Sequence, residues 1–339
     1  MSKIQILDKT ELLPDYLKSK YREINGFAYK ESKLFIVKVN DKDVGAVRVA
    51  IRDDKVQKEG LISDLSFSDH EILSKVGSDV IKFAESYLLS LGVNKIEAIV
   101  EEGKKLNYIF YDNGYWPSWK PVVISWDLEN LNLDTPKDID FNSYQFDIIH
   151  SKDFTEDFIE EISKFVFDSY QPYFRWWREY KNDYRWWRTN YDDGSLPQLE
   201  DYLKEEMIGR IRDYLLEIKN KNSIIVRGFI DGKLEGICDA IVDEKEENMV
   251  IGVAVSKKLK AKNFGSILLI NALKFLKDNG VKQPIVITTS GLDDYDPTVY
   301  LYTLAGKGQI VKEYTVLIKR KFSDSSTNEI IDIGQPLSL

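Results

Sequence analysis

Apolar and polar positions alternate in nearly the same order over two stretches of the chain. Residues 34–49 read LFIVKVNDKDVGAVRV, and residues 224–238 read IIVRGFIDGKLEGIC. Each predicts an apolar strand, a two-residue polar turn (Asp41-Lys42, Asp231-Gly232) and a second strand entered through a glycine, Gly45 or Gly236. A helix over 10–21 precedes the first hairpin, and a short strand over 61–67 follows it. Residues 76–91 then put Val76, Val80, Phe83, Ala84, Tyr87 and Leu88 on one helical face, and Gly92 ends that helix. A half-buried strand over 95–100, a short helix over 105–111 stopped by Asn113-Gly114, and a strand over 122–128 complete the pattern.

The second stretch repeats this order behind a larger helical insert. An amphipathic helix over 154–170 carries Phe154, Phe158, Ile162, Phe165 and Val166 as its apolar stripe, and a long helix follows over 199–219. After the hairpin come a strand over 249–255, a loop over 256–265 and a helix over 266–279 closed by Gly280. A strand over 285–289, a short helix over 298–304 and a strand over 314–320 finish the unit. A duplication of roughly 150 residues is domain-sized, far longer than a solenoid repeat. The expected organisation is a first domain over 1–128, a polar proline-bearing linker over 129–145, a second domain over 146–322, and a loose tail over 323–339 in which Ile330, Ile331 and Ile333 could dock.

Composition narrows the class. The chain has 339 residues, 43% of them hydrophobic and 30% charged, as expected for a globular protein of two domains. No apolar run approaches the about 18–20 residues that span a bilayer, and no secretory segment opens the chain, so a membrane partner is not expected. One cysteine, Cys238, excludes an intramolecular disulfide, and with only two histidines, His70 and His150, no multi-ligand metal site is expected. These features point to a reducing compartment, the cytoplasm. A net charge of −9 speaks against nucleic acid as a partner.

Strand, glycine-bearing loop, helix, strand and then Tyr-x-x-x-Gly resembles the GNAT (Gcn5-related N-acetyltransferase) family. The residues that carry the resemblance are VAVSKKLKAKNFGSILLINAL (253–273) and VYLYTLAGK (299–307). It implies an α+β fold of two acyl-CoA N-acyltransferase domains, each a mixed, mostly antiparallel sheet flanked by helices. It further implies transfer of an acetyl or short acyl group from acetyl-CoA, or another acyl-CoA, to an amine acceptor. The family's pyrophosphate loop, R/Q-x-x-G-x-G/A, falls on Lys260, Asn263 and Gly265, so Asn replaces one glycine. Such a loop aims backbone N–H groups at the diphosphate, and Asn is the non-glycine residue that best tolerates a left-handed conformation. Lys257, Lys258, Lys260 and Lys262 add cationic charge. The cofactor-binding set is then Val253, Val255, Lys260, Lys262, Asn263, Phe264, Gly265 and Ser266.

By the same resemblance the backbone around 252–255 supplies an N–H to the developing oxyanion, and Tyr302 protonates the departing thiolate. Leu301-Tyr302-Thr303-Leu304-Ala305-Gly306 has the family's spacing, whereas Tyr111 before Gly114 is one residue short. Asp239 and Glu247 are the candidate bases for the amine. In the first unit, residues 68–77 occupy the loop position with Asp69 and Glu71, whose charges would repel a diphosphate. The second unit is therefore expected to hold the site. Two echoing segments, Phe174-Arg-Trp-Trp-Arg178 and Tyr184-Arg-Trp-Trp-Arg188, offer Arg175, Trp176, Trp177, Arg178, Trp186 and Trp187 either to a planar or anionic acceptor or to the interface between units. Two other readings stand beside the enzyme: a non-catalytic CoA-sensing or scaffold protein of the same fold, and a Fem-like peptidyltransferase, against which the acidic charge argues.

Overall fold

The structure is a computed structural model that describes residues 3–18, 21–22, 28–53, 58–93, 95–104, 106–134, 144–170, 199–242, 249–256, 259, 263–290, 297–323 and 330–332. The chain packs as two compact units. One comprises Met1–Val122, Thr289–Asp294 and Lys312–Leu339, and the other Val123–Thr288 and Tyr295–Val311. They divide the chain differently from the linear segments 1–128 and 146–322, because each unit takes in a piece from the end of the opposite half.

In the first unit, β1 (Ile4–Asp8) is followed by a single turn of 3-10 helix, Thr10–Leu12, and by α1 (Asp15–Lys18). The helix expected over 10–21 is broken at Pro14, whose ring and missing N–H cannot continue a helical turn. A two-stranded ribbon of β2 (Tyr21–Arg22) and β3 (Ala28–Tyr29) comes next. β4 (Glu31–Val39) and β5 (Lys42–Asp53) form the expected hairpin. Its turn lies one residue earlier than the pattern implies, on Asn40 (φ 49°) and Asp41 (φ 63°). A two-residue hairpin turn of this hand needs positive φ at both positions, which Asn and Asp tolerate better than Lys.

The unit continues through β6 (Lys58–Phe67), α2 (His70–Ser90), β7 (Lys95–Glu101), α3 (Asn107–Asp112) and β8 (Trp116–Ser125), whose last residues already belong to the second unit. The sheet runs β1-β4-β5-β6-β7, antiparallel except for the β6–β7 pair. Leu73, Val76, Val80, Ile81, Ala84 and Leu88 of α2 are buried in one apolar core with Val47, Val49, Ile62, Ile96 and Ala98 of the sheet. Burying each of the Val, Leu and Ile side chains contributes about 1.5–3 kcal/mol.

The second unit contains β9 (Tyr144–His150), α4 (Glu156–Tyr170), α5 (Leu199–Ile218), β10 (Asn222–Ile230), β11 (Lys233–Val242), β12 (Met249–Val255), α6 (Phe264–Asp278) and β13 (Ile285–Ser290), whose last two residues fall in the first unit. α7 (Pro297–Tyr300) and a π-helical turn, Leu301–Ala305, follow. The strand order is β13-β12-β11-β10-β9, again antiparallel except for the β12–β13 pair. Ile237 and Ile241 of β11 pack with Ile225, Ala254 and the apolar stripes of α4 and α5. The alternate residue Gly236 faces α6, where an added Cβ would lie 2.7 Å from both Leu268 and Phe264.

β14 (Gln309–Ser323) takes an unexpected place. Through Tyr314↔Glu101 to Arg320↔Lys95 it pairs antiparallel with β7, so it extends the first unit's sheet. Conversely, the backbone N–H groups of Trp126 and Leu128 donate to the carbonyls of Pro284 (3.2 Å) and Lys282 (2.9 Å), within the second unit. Period-two patterning fixes which face a strand buries but not which edge it joins. From the tail, β15 (Ile330–Asp332) pairs with β14, with Ile331 opposite Phe322. Among the described residues no helix is long and apolar enough to cross a membrane.

Candidate active site

In the second unit, β12 and β13 keep a single register pair, Met249↔Ile285, and then part. Further along β12, the Val253 N–H has turned to a side chain and donates to the Tyr302 hydroxyl at 3.1 Å. Tyr302 is 1% exposed and sits on the π-helical turn. The ring is fixed from several directions. Trp126 packs edge-on against it, with centroids 5.9 Å apart, and the indole N–H donates to the Gly306 carbonyl at 2.9 Å. The Gly308 N–H bonds the carbonyl of Tyr302 itself at 2.8 Å. Gly306 has to be glycine for space, since a Cβ there would lie 2.6 Å from Leu269 and 2.8 Å from the Tyr302 carbonyl oxygen.

The register of β11 on β12 shifts between Asp239 and Ala240, so Ile251 is an extra residue on β12. Such a bulge re-aims the backbone around it. Asp239 lies opposite Gly252 and is 6% exposed. Its Oδ2 accepts the Tyr214 hydroxyl of α5 at 2.6 Å. Burial raises the Asp239 carboxyl to about 6, against the lowering pull of the Tyr214 hydroxyl and of the backbone N–H groups of Asp239 and Gly252. Consecutive amides of β12, those of Gly252 and Val253, thus act on a carboxylate and on a phenol. Cys238, on the opposite face of the strand, is a buried thiol pushed well up by burial and then by the Asp239 charge.

The entry to α6 differs from an ordinary capped helix. Asn263 adopts the left-handed conformation (φ 58°, ψ 2°) and makes no side-chain capping bond. Gly265 lets the first turn close on β12, because a Cβ there would meet Val253 at 3.3 Å and Leu301 and Val255 at 3.4 Å. Ser266 is buried, and its N–H returns to the Asn263 carbonyl. Phe264, expected at the cofactor, is fully buried beneath the sheet, its ring 5.3 Å from those of Tyr144 and Phe146. It anchors the helix. At the end of β12, the buried Ser256 hydroxyl has no hydrogen-bond partner among the described residues.

Tyr302, Asp239, Val253, Val255, Gly265, Asn263 and Ser266 are thus assembled around one stretch of β12. Glu247, the lysines 257, 258, 260 and 262, and the segment holding Arg175, Trp176, Trp177, Arg178, Trp186 and Trp187 lie outside the described residues. Tyr214 and Trp126 were not legible as site residues. Tyr214 reads as one more apolar position of a long helix, and Trp126 as the inward side of a strand end.

Solved structures with this architecture span nearly the whole chain. A tandem GNAT protein from the clavulanic acid biosynthesis pathway matches with a TM-score of 0.56 at 10% identity, over 94% of this chain and 98% of that one. The fold is a tandem GNAT fold. A GCN5-related N-acetyltransferase from Sphaerobacter thermophilus matches with a TM-score of 0.55 at 12% identity, over 90% of this chain and 82% of the other. A glucosamine N-acetyltransferase region of a fungal multi-domain beta-N-acetylglucosaminidase matches with a TM-score of 0.54 at 14% identity, over 94% of this chain and 38% of that one. No protein-family model matches the chain. No curated protein matches it either.

Within the tandem GNAT fold the two units can be compared position by position, and the first carries different residues at each of these positions. Three residues past the hairpin glycine, the second unit has Asp239 and the first has Arg48, which is 3% exposed and paired with Asp64 at 2.5 Å. Opposite these stand Gly252 and Ser63. Four residues before the glycine of the Tyr-x-x-x-Gly element, the second unit has Tyr302 and the first has Phe110, both 1% exposed, while Tyr111 points outward at 44%. Residues 70–77, aligned with the loop that leads to Gly265, are already helical. Asp69 caps that helix, its carboxylate accepting the Ile72 N–H at 2.8 Å and filling the N-terminus with the protein's own anion.

Proposed function

We propose that the chain is an acyl-CoA-dependent N-acetyltransferase that moves an acetyl or short acyl group to an amine, with its active site in the second unit. The observation that carries this reading is the Tyr302 hydroxyl held 3.1 Å from the Val253 N–H where β12 and β13 part. The residues fit an acyl-CoA on three counts: a helix start without a side-chain cap at a left-handed Asn263, a Gly265 where a Cβ would crowd β12, and a Ser256 hydroxyl at the strand end with no partner among the described residues. The α6 N-terminus with Asn263, Gly265 and Ser266 would hold the diphosphate, and the surrounding lysines would add positive potential. When bound, acetyl-CoA supplies an activated acyl thioester.

The chain's own groups then have separate tasks. Asp239 takes the proton from the incoming amine, since an amine of pKa about 10.4 attacks only when neutral. The Val253 N–H orients the acyl carbonyl once it exchanges the Tyr302 hydroxyl for that oxygen. Tyr302, so released, gives its proton to the leaving sulfur. One observation favours a second reading, a non-catalytic CoA-sensing protein: the Val253 N–H is already satisfied by Tyr302.

Calorimetric titration of acetyl-CoA into the wild-type protein and Gly265→Asp tests the reading. Binding of one molecule per chain, lost in a variant that still melts cooperatively, supports the site. Absence of binding to wild type overturns it. Binding without thiol release in the presence of amines supports the sensor.

A further inference from the structure

Asp239 is buried at the centre of an apolar face, and one side chain reaches it by a hydrogen bond. Ile225 is its register partner on β10 and Ile237 and Ile241 flank it on β11, and these three pack in one apolar cluster with Ala254, Ile162 of α4 and Leu215 of α5. Among the described residues of β10 and β11, the ionisable groups are engaged elsewhere or set apart. Arg227 makes a two-point pair with Asp147 at 2.9 and 2.5 Å. Cys238 points to the other face, and Glu235, also buried, sits at the far end of β11. A lone buried carboxylate has several rotamers and a strong tendency to stay protonated. A donor fixed on a rigid element counters both, and Tyr214 is the side chain that does so beside the backbone N–H groups of Asp239 and Gly252.

We infer that Tyr214 of α5 is a positioning residue for acetyl transfer, its hydroxyl holding Oδ2 of Asp239 at 2.6 Å so that Oδ1 is presented to the acceptor amine as a carboxylate. The inference rests on the acetyltransferase reading. The proton leaves the amine nitrogen for Oδ1 while the nitrogen lone pair is freed for attack, and the Tyr214 proton stays on its own oxygen. Burial drives the Asp239 carboxyl upward, and the Tyr214 hydroxyl is the largest influence in the opposite direction. Removing that hydroxyl leaves the base protonated over more of the neutral range.

The test uses the full chain with aspartate labelled by carbon-13 at the carboxyl, in wild type, Tyr214→Phe, and Asp239→Asn to assign the signal. In Tyr214→Phe the Asp239 titration midpoint moves alkaline by roughly half a unit or more. Release of free CoA from acetyl-CoA with a panel of benzylamine, spermidine and glucosamine falls about threefold on the acid limb and is unchanged well above the midpoint. A purely structural role would lower the rate equally at every pH. If Tyr214→Phe fails to fold, fluorotyrosine at position 214, a stronger donor, moves the midpoint the opposite way. A midpoint unmoved by either change overturns the inference. Wild-type protein that acetylates none of these amines counts against the transferase reading, while the midpoint still decides the Tyr214–Asp239 coupling.

Discussion

The Tyr302 hydroxyl accepts the backbone N–H of Val253 across 49 residues of sequence, at 3.1 Å and out of reach of solvent. The bond joins the π-helical turn to the strand edge that β13 leaves open, so the side chain proposed as the acid also closes an edge. Tyr302→Phe separates the two roles. The variant loses about 1–3 kcal/mol of stability through the unpaired buried N–H, read by denaturant unfolding. It binds acetyl-CoA at least as tightly as wild type, because that N–H no longer has to exchange partners, yet its turnover falls about 100-fold or more. Weaker binding together with unchanged turnover would remove Tyr302 from the reaction.

Asp239 makes folding stability depend on pH in a defined direction. Its carboxyl lies at about 6 in the folded chain, against 3.8 for an ordinary aspartate. The folded state therefore binds the proton more tightly. The stabilising contribution is fully present below the unfolded value, near 4, and is lost as pH rises through about 6. The amplitude is on the order of 3 kcal/mol. Denaturation of wild type and Asp239→Asn across this window should show the variant gaining relative stability as pH rises. Parallel pH profiles would contradict the burial of a titrating carboxyl here.

Gly306→Ala tests the packing behind Tyr302. The backbone there (φ −81°, ψ −12°) suits alanine, so the effect is steric alone. The new Cβ meets Leu269 and the carbonyl oxygen of Tyr302 itself. A loss of about 1–3 kcal/mol is expected, and with it a fall in turnover larger than the fall in coenzyme affinity. Steady-state kinetics beside calorimetry reads the split.

In the first unit, the Lys319 ammonium bonds both carboxylate oxygens of Glu85 (3.0 and 3.2 Å) and the Asn113 carbonyl (2.6 Å), with both side chains more than nine-tenths buried. Lys319→Met leaves Glu85 as an uncompensated buried charge and costs about 3–5 kcal/mol. Adding Glu85→Leu should recover most of that loss. If the double variant is no better than the single one, the pair matters for packing and not for charge.

The elements were legible where local chemistry decides them. The glycines of both hairpins, the stop at Gly92 and the left-handed tolerance of Asn263 all belong to backbone rules that a short window contains. Asp239 was visible as an acid on a hairpin strand, and aligning Gly45 with Gly236 exposes Arg48 as its counterpart. Tyr214 was hidden because a tyrosine on an amphipathic helix has the same pattern whether its hydroxyl meets water or a carboxylate. The destination of β14 was hidden for a related reason. Its alternation is satisfied by any sheet edge, and the partner is set by long-range packing. The start of α2 was missed because Asp69 and Glu71 were read for their charge against a diphosphate, when Asp69 is a capping residue.

The exchange of terminal strands carries a consequence for how the molecule comes into being. Thr315 and Glu102, bonded side chain to side chain in the first unit, are 213 residues apart in sequence. A growing chain cannot finish the sheet that it begins first until the whole second unit has been made. At roughly 5–20 residues per second, that interval lasts about 10–40 s. Throughout it the β7 edge waits without its neighbour, and an open strand edge invites pairing with another chain. Cutting the protein at its linker would make that interval permanent, leaving β7 of the first half without β14.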